Sequence, residues 1–406
     1  MARAEARGGH VLVAPDKFKG TLTAAEAAAH VTAGLRSARG DLAIQQVPVA
    51  DGGDGTVAAA VAAGYRSVRQ TVRGPTGQPV SAEFGWQDGT AIIEAAQACG
   101  LTRLPGSPAP LTATSFGVGE LIAAAASMGA RRIVLGLGGV ASSDGGAGML
   151  QALGGRLLDQ AGNELPPGGA ALAALDRMDL TGITLLSGIE VLVASDVDNP
   201  LLGGHGAAAV YGPQKGASAA DVPVLEAGLA RWADIAERAL AGLAHTQGWQ
   251  YGHEQSQRVT RLRDEPGAGA AGGLGFAALA FLAAQTPPGI ELILDMISFT
   301  QRLAGARLVI TGEGALDPQT LRGKAPAGVA RAAARLPVIA VAGSCTLTPA
   351  QLRGAGFDAA YALTDIEPDL DRCLANAGPL LEEAARRLAA DWLPPTGPGE
   401  ATAGPS

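Results

Sequence analysis

The stretch HVLVAPDKFKGTLTAAEAAA, residues 10–29, moves from an apolar run through a short polar loop into an alanine-rich segment. HVLVA has the continuous apolar character of a strand buried on both faces, and it stops at Pro15 and Asp16. Thr23 and Glu26 form a T-x-x-E capping box, in which each side chain satisfies a free backbone N–H at a helix start. Strand, loop and capped helix, in that order, open a parallel α/β unit. They place Asp16, Lys17 and Lys19 at a strand's carboxyl end, where open α/β sheets bind ligands.

Six further short apolar runs end in the same way, at 44–49, 132–137, 190–194, 307–311, 337–342 and 359–363. Between them lie stretches of helical character at 24–37, 57–63, 117–128, 147–153, 224–241, 273–284, 325–334 and 379–391. This alternation predicts parallel sheet covered on both faces. Residues 68–95 differ. They alternate in polarity and carry turn signals at GPTGQP and QDG, which predicts antiparallel hairpins. The expected fold class is therefore α/β in two domains. A Rossmann-like parallel-sheet domain comes from the N- and C-terminal segments, 9–70 plus 290–392. A second α/β domain, 71–289, is inserted, and the Pro/Gly-rich end, 393–406, is expected to be a disordered tail.

A chain of 406 residues is long for a single core. Its 47% hydrophobic and 17% charged content is that of a globular protein, and its net charge of −8 argues against a nucleic-acid or anionic-membrane partner. The three cysteines, Cys99, Cys345 and Cys373, are far apart and fit a reducing cytoplasm. No apolar run reaches the ~18–20 residues of a membrane span, and the N-terminal residues carry no signal-peptide apolar region. An acidic chain that binds an anion must gather positive charge locally. Of its 30 basic residues only four are lysines, and Lys17, Lys19, Lys215 and Lys324 all fall in Gly- or Pro-rich loops. Lysine is a compact point charge that can approach a phosphate where a planar guanidinium does not fit. A solvated loop is the alternative for each.

Four more stretches carry polar clusters after strands. In VADGGDGT, Asp51 and Asp54 could ligate Mg²⁺ or accept a hydroxyl hydrogen bond, or could simply shape a tight turn. GLGGVASSDGGAGML contains G-x-G-x-x-A, with Asp159 23 residues after Gly136, the spacing of a dinucleotide fingerprint. A backbone cradle for an anion with Ser142, Ser143 and Asp144 fits it equally. ASDVDNPLLGGHGA, running into VYGPQKGA, brings Asp196, Asp198, Asn199, Gln214 and Lys215 within twenty residues, which suits a metal–phosphate or polyol site. ITGEGALDPQTLRGKAP supplies Glu313, Asp317, Gln319 and Lys324. A second G-x-G-x-x-G, 267–272, follows no strand and reads as a pattern match in a Gly-rich chain.

Taken in order, PDKFKGTL, ADGGDGT, ATSFGVGELI, GGVASSDGGAGML, SDVDNPLLG, YGPQKGA, GAAGGLG and ITGEGALDPQTLRGKAP resemble the bacterial glycerate kinase family, over roughly residues 10–385. Val140 and Ser143 stand where the family often has Ser and Asn. The resemblance implies transfer of the ATP γ-phosphate to a hydroxyl of D-glycerate, most often the 2-hydroxyl, in a cleft between two domains, with Mg²⁺. It suggests Asp196 or Asp198 as base, with Lys17 and Lys19 beside them in catalysis. Asp16, Asp51, Asp54, Ser142, Ser143, Asp144, Asn199, Gln214, Lys215, Gln319 and Lys324 are the expected substrate and ATP contacts, and Glu313 and Asp317 the expected metal ligands. The expected partners are small molecules, D-glycerate and ATP, with a homo-oligomer compatible and neither nucleic acid nor membrane. Two other readings stay open. One is a nicotinamide-dependent oxidoreductase built on GLGGVA with Asp159 on the ribose. The other is a non-catalytic sugar-acid sensor.

Overall fold

The computed structural model describes residues 9–183, 188–243 and 259–394. The tail expected at 393–406 lies outside the described residues from 395 onward. Leu393, at its start, is buried against the terminal core rather than free. Contacts divide the chain into two compact units, Met1–Val49 with Ser298–Ser406, and Ala50–Ile297.

The first unit is a five-stranded sheet of β1 (His10–Pro15), β2 (Ile44–Gln46), β10 (Ala306–Leu316), β11 (Val338–Cys345) and β12 (Ala359–Ala362). All its neighbours pair in parallel, in the order β12-β11-β10-β1-β2. Counted within the unit this is the doubly wound order 2-1-3-4-5, and its switch point falls between β1 and β10. Val11 to Ala14 are wholly buried because helices cover the sheet. Val11 and Val13 meet Val31 and Leu35 of the Ala24–Ala38 helix and Leu381 and Leu388 of the Ala377–Trp392 helix in one core cluster. The capping box forms: Glu26 N–H donates to Thr23 Oγ1 at 3.2 Å, and Thr23 N–H donates to Glu26 Oε2 at 2.8 Å.

The second unit holds a mixed sheet, β3 (Arg66–Arg73), β4 (Pro79–Gln87), β5 (Thr90–Glu94), β6 (Arg132–Gly136) and β9 (Glu190–Ala194), in that spatial order. The first three strands are antiparallel and the last three parallel. A small ribbon of β7 (Arg156–Leu158) and β8 (Arg177–Asp179) lies apart from it. The QDG turn puts Asp88 at φ 48° and Gly89 at φ 81°, the paired positive angles of a tight hairpin turn. Trp232 is fully buried in the core, edge-on to Phe276, and donates its indole N–H to Gly145 O at 3.0 Å.

The division differs from the expected boundaries. A break at 70/71 would cut β3, whose ladder with β4 is unbroken from Arg66 opposite Trp86 to Arg73 opposite Pro79. The second unit begins earlier, at Ala50. It also keeps the helix Gly289–Met296, whose Ile293 packs beneath β6 and β9 with Val134 and Leu192.

Candidate active site

In the second unit, β6 stops at Gly136 and β9 at Ala194, and their loops open a cleft of ≈ 220 Å³. The DGGDG loop crosses the end of β9. Gly52 has φ 91°, and a Cβ there would lie 2.5 Å from Ala194 O, so only glycine lets the loop pass and deliver Asp51 to the cleft. The loop is pinned from β5: the buried Glu94 carboxylate accepts N–H bonds from Gly55 at 3.1 Å and Val57 at 3.2 Å, at the start of the Thr56–Ala63 helix. Asp51, Ser195, Asp196, Tyr211, Gln214 and Lys215 form the polar part of the lining. Leu101, Leu137 and Val140 form an apolar wall.

Lys215 closes the 3₁₀ turn Pro213–Lys215 and is only 3% exposed. Its Nζ donates to Ser142 O at 2.5 Å and reaches Ser143 Oγ at 3.5 Å. Burial pushes this ammonium down to about 8, against the opposing influence of Cys99 and Asp144. Burial pushes the Cys99 thiol up to about 12, so it stays protonated and unreactive.

The other expected residues of this unit fall into two groups. Ser142, Ser143 and Asp144 are buried beneath the cleft and do not line it. Asp144 is a structural hub: Oδ2 accepts from Ser115 N–H at 2.8 Å and Ser115 Oγ at 2.9 Å, and Oδ1 from Gly146 N–H at 3.2 Å. Asp198 and Asp54 are exposed and lie off the lining. Asp54 faces a separate hollow with Glu94 and Arg103. Asn199 donates to His205 O at 2.8 Å and accepts the Tyr211 hydroxyl at 2.5 Å, which ties the acidic loop to the cleft wall. Burial, then the Asp198 charge, raises the Tyr211 phenol.

The first unit gathers its own cluster at the switch point. Pro15 of β1 is in register with Gly312 of β10, and β10 runs on to Leu316, so the loop after β1 passes beside the last residues of β10, where Glu313 stands. Phe18 is buried in the unit's core and separates the two lysines. Lys17 is held against Asp16, with Nζ–Oδ1 at 3.8 Å, while Lys19 is exposed. Glu313 accepts the Thr320 hydroxyl at 2.6 Å and pairs with Lys324 at 3.8 Å. Asp317 accepts Gln319 N–H at 2.7 Å and Thr320 N–H at 3.3 Å, closing its own turn, and Gln319 is exposed.

A family model described as the glycerate kinase family matches residues 11–393. The chain belongs to the glycerate kinase family. It is 44% identical to the glycerate kinase of Bacillus subtilis (strain 168), with 94% of this chain and 97% of that one covered. It is 41% identical to the glycerate 2-kinase of Escherichia coli (strain K12), over the same shares. The crystal structure of a Salmonella typhimurium LT2 protein provisionally named glycerate kinase 2 superposes with TM-score 0.76 at 40% identity, covering 95% of this chain and 98% of that one.

Membership in the glycerate kinase family and the geometry together displace the nicotinamide reading. A dinucleotide fingerprint needs a tight turn straight into a helix. Here the buried SSDGG turn intervenes, and Asp159 accepts Asn163 N–H at 2.8 Å within an exposed turn of its own. Sequence reasoning also missed cleft residues. Tyr211 gave no signal beyond its place before GPQK, and Ala271 lay inside a glycine pattern read as chance.

Among the described residues no group of three or more His, Cys, Asp or Glu could hold an ion. Glu313 and Asp317, the expected ligands, are engaged by Thr320, Lys324 and backbone N–H groups. Mg²⁺ bound through nucleotide phosphates needs only one or two carboxylates from a protein, so a dedicated cage is not required for it.

Proposed function

We propose that this protein phosphorylates D-glycerate at the expense of ATP, giving phosphoglycerate, with the 2-hydroxyl as acceptor, and ADP. The observation that carries the reading is the cleft in which the nearly buried Lys215 shares one lining with Asp51 and Asp196. A small hydroxy acid needs those two features: a cation for its carboxylate and an acceptor for the hydroxyl proton. In this reading the Lys215 ammonium holds the glycerate carboxylate, and Asp51 and Gln214 orient the hydroxyls. Asp196 accepts the proton as the hydroxyl oxygen bonds to the γ-phosphorus and the bridging P–O bond to ADP breaks. Asp196 is preferred to Asp198 because only Asp196 lines the cleft. Ser142, Ser143 and Asp144 act by holding the loop under Lys215.

Lys17, Lys19 and Lys324 supply positive charge for the nucleotide phosphates, a reading supported by their place at the switch point of the first sheet. Mg²⁺ held through the nucleotide phosphates, with Glu313 or Asp317 as its one or two protein carboxylates, would supply charge neutralisation there, and every proton step is carried by the residues named. The free thiols at Cys99, Cys345 and Cys373 fit a reducing cytoplasm. A coupled ADP-release assay tests the proposal: with MgATP, D-glycerate should drive ADP formation, and addition of NAD should do nothing. Stabilisation by glycerate without ADP release would instead identify a sensor.

A further inference from the structure

The run at 271–273 lies against the cleft floor in a conformation that its helix does not need. Ala271 (φ 54°, ψ 39°), Gly272 (φ 69°, ψ 30°) and Gly273 (φ 89°, ψ 5°) are three consecutive left-handed residues inside the Ala270–Phe281 helix. A left-handed alanine costs roughly 1–2 kcal/mol, so the surroundings must impose it. Those surroundings are the loop that carries Ser142 and Ser143. Gly272 O accepts Gly145 N–H at 3.0 Å. A Cβ at Gly272 would lie 2.2 Å from Ser142 O, 2.7 Å from Lys215 Nζ and 2.8 Å from Ser143 Cα. A Cβ at Gly273 would lie 2.8 Å from Gly145 Cα. Lys215 Nζ thus sits between contacts with the left-handed turn at Gly272 and with its two acceptors, Ser142 O and Ser143 Oγ.

We infer that the left-handed turn 271–273 and the Ser142–Ser143 loop form a clamp that fixes the Lys215 ammonium at the cleft floor, which makes Gly272 and Ser143 positioning residues for the substrate's carboxylate. The inference rests on the reading of Lys215 as the anion-binding charge. Gly272 touches no substrate in this account. It leaves the space that a side chain would take from Nζ. The titratable groups that face the ammonium are Cys99 and Asp144, which both favour its proton against burial, and Asp144 also accepts from Ser115 and Gly146 N–H.

Two variants should move Lys215 in opposite senses. Gly272→Ala pushes Nζ out of its enclosure toward water, so its proton affinity should rise from about 8 toward the ordinary lysine value. Ser143→Ala removes an acceptor that favours the charged form, so the affinity should fall. Trace labelling with acetic anhydride across pH, read by mass spectrometry, follows Lys215 directly, because the chain has only four lysines. Steady-state kinetics supply the second readout: displacement of the ammonium should raise KM for D-glycerate about 10-fold or more, as for loss of a charged hydrogen bond. Partial unfolding would lower apparent kcat and leave KM alone. If Gly272→Ala does not fold, Ser143→Ala still carries the test. Unchanged Lys215 titration and unchanged KM in the folded variants would overturn the clamp. The reading beneath it is tested separately by Lys215→Met: wild-type KM there would remove Lys215 from the site, whereas a raised KM with unmoved clamp variants would reject the clamp alone.

Discussion

At the residue scale, the proposed chemistry rests on an exposed carboxylate and a buried ammonium in one lining. Asp196→Asn keeps the shape of the side chain and removes its basicity, so kcat should fall by ~10² or more with the fold intact. A near-normal rate, measured as glycerate-dependent ADP release, would remove Asp196 from the role of base. Lys215 sets a pH dependence with two signs. If the ammonium holds the substrate as proposed, activity should fall as pH rises through about 8. Stability runs the other way. The unfolded chain keeps this proton to about the ordinary value of 10.5, whereas the folded chain keeps it only to about 8, so unfolding takes up a proton between those limits. The stability of the wild type relative to Lys215→Met should therefore be lowest below about 8 and rise toward 10.5, as denaturant titrations at several pH values can measure. The lysine loops were legible because lysine is rare in this chain. The depth of Ser142 and Ser143 was not, because hydroxyls suit a buried turn and a ligand contact equally well.

At the element scale, loops at strand ends carry the proposed site, and other elements aim them. Glu94 shows how: from β5 it holds the N–H groups that start the Thr56–Ala63 helix and so fixes the loop carrying Asp51. Glu94→Ala leaves those buried groups without their carboxylate and should cost about 1–3 kcal/mol of stability. It should also impair glycerate-dependent turnover in the protein that remains folded, which thermal melts and kinetics at low temperature separate. The strands themselves could be read from the sequence because parallel strands buried on both faces are continuously apolar. The QDG hairpin could be read because its turn demands positive φ at two positions. The left-handed turn at 271–273 could not, since GAAGG alone does not distinguish a helix start, a chance pattern and a clamp. Likewise the break at Ala50 was hidden, because the polar alternation of β3, an edge strand, marks the start of the antiparallel hairpins and not the earlier departure of the chain from the first sheet.

At the scale of the whole molecule, two α/β units each present a polar cluster at the carboxyl ends of parallel strands. The terminal unit does so at the switch point between β1 and β10, and the inserted unit does so over β6 and β9. No described helix is long and apolar enough to cross a membrane. The fold class, read from the alternation of strand and helix, is that of the family to which the chain belongs. The most direct measurement is phosphorus NMR of the reaction mixture after incubation with MgATP and D-glycerate. The account predicts loss of the γ-phosphate resonance with matching growth of ADP and of one phosphomonoester, 2-phosphoglycerate. ATP left intact, or inorganic phosphate as the sole new species, would contradict it.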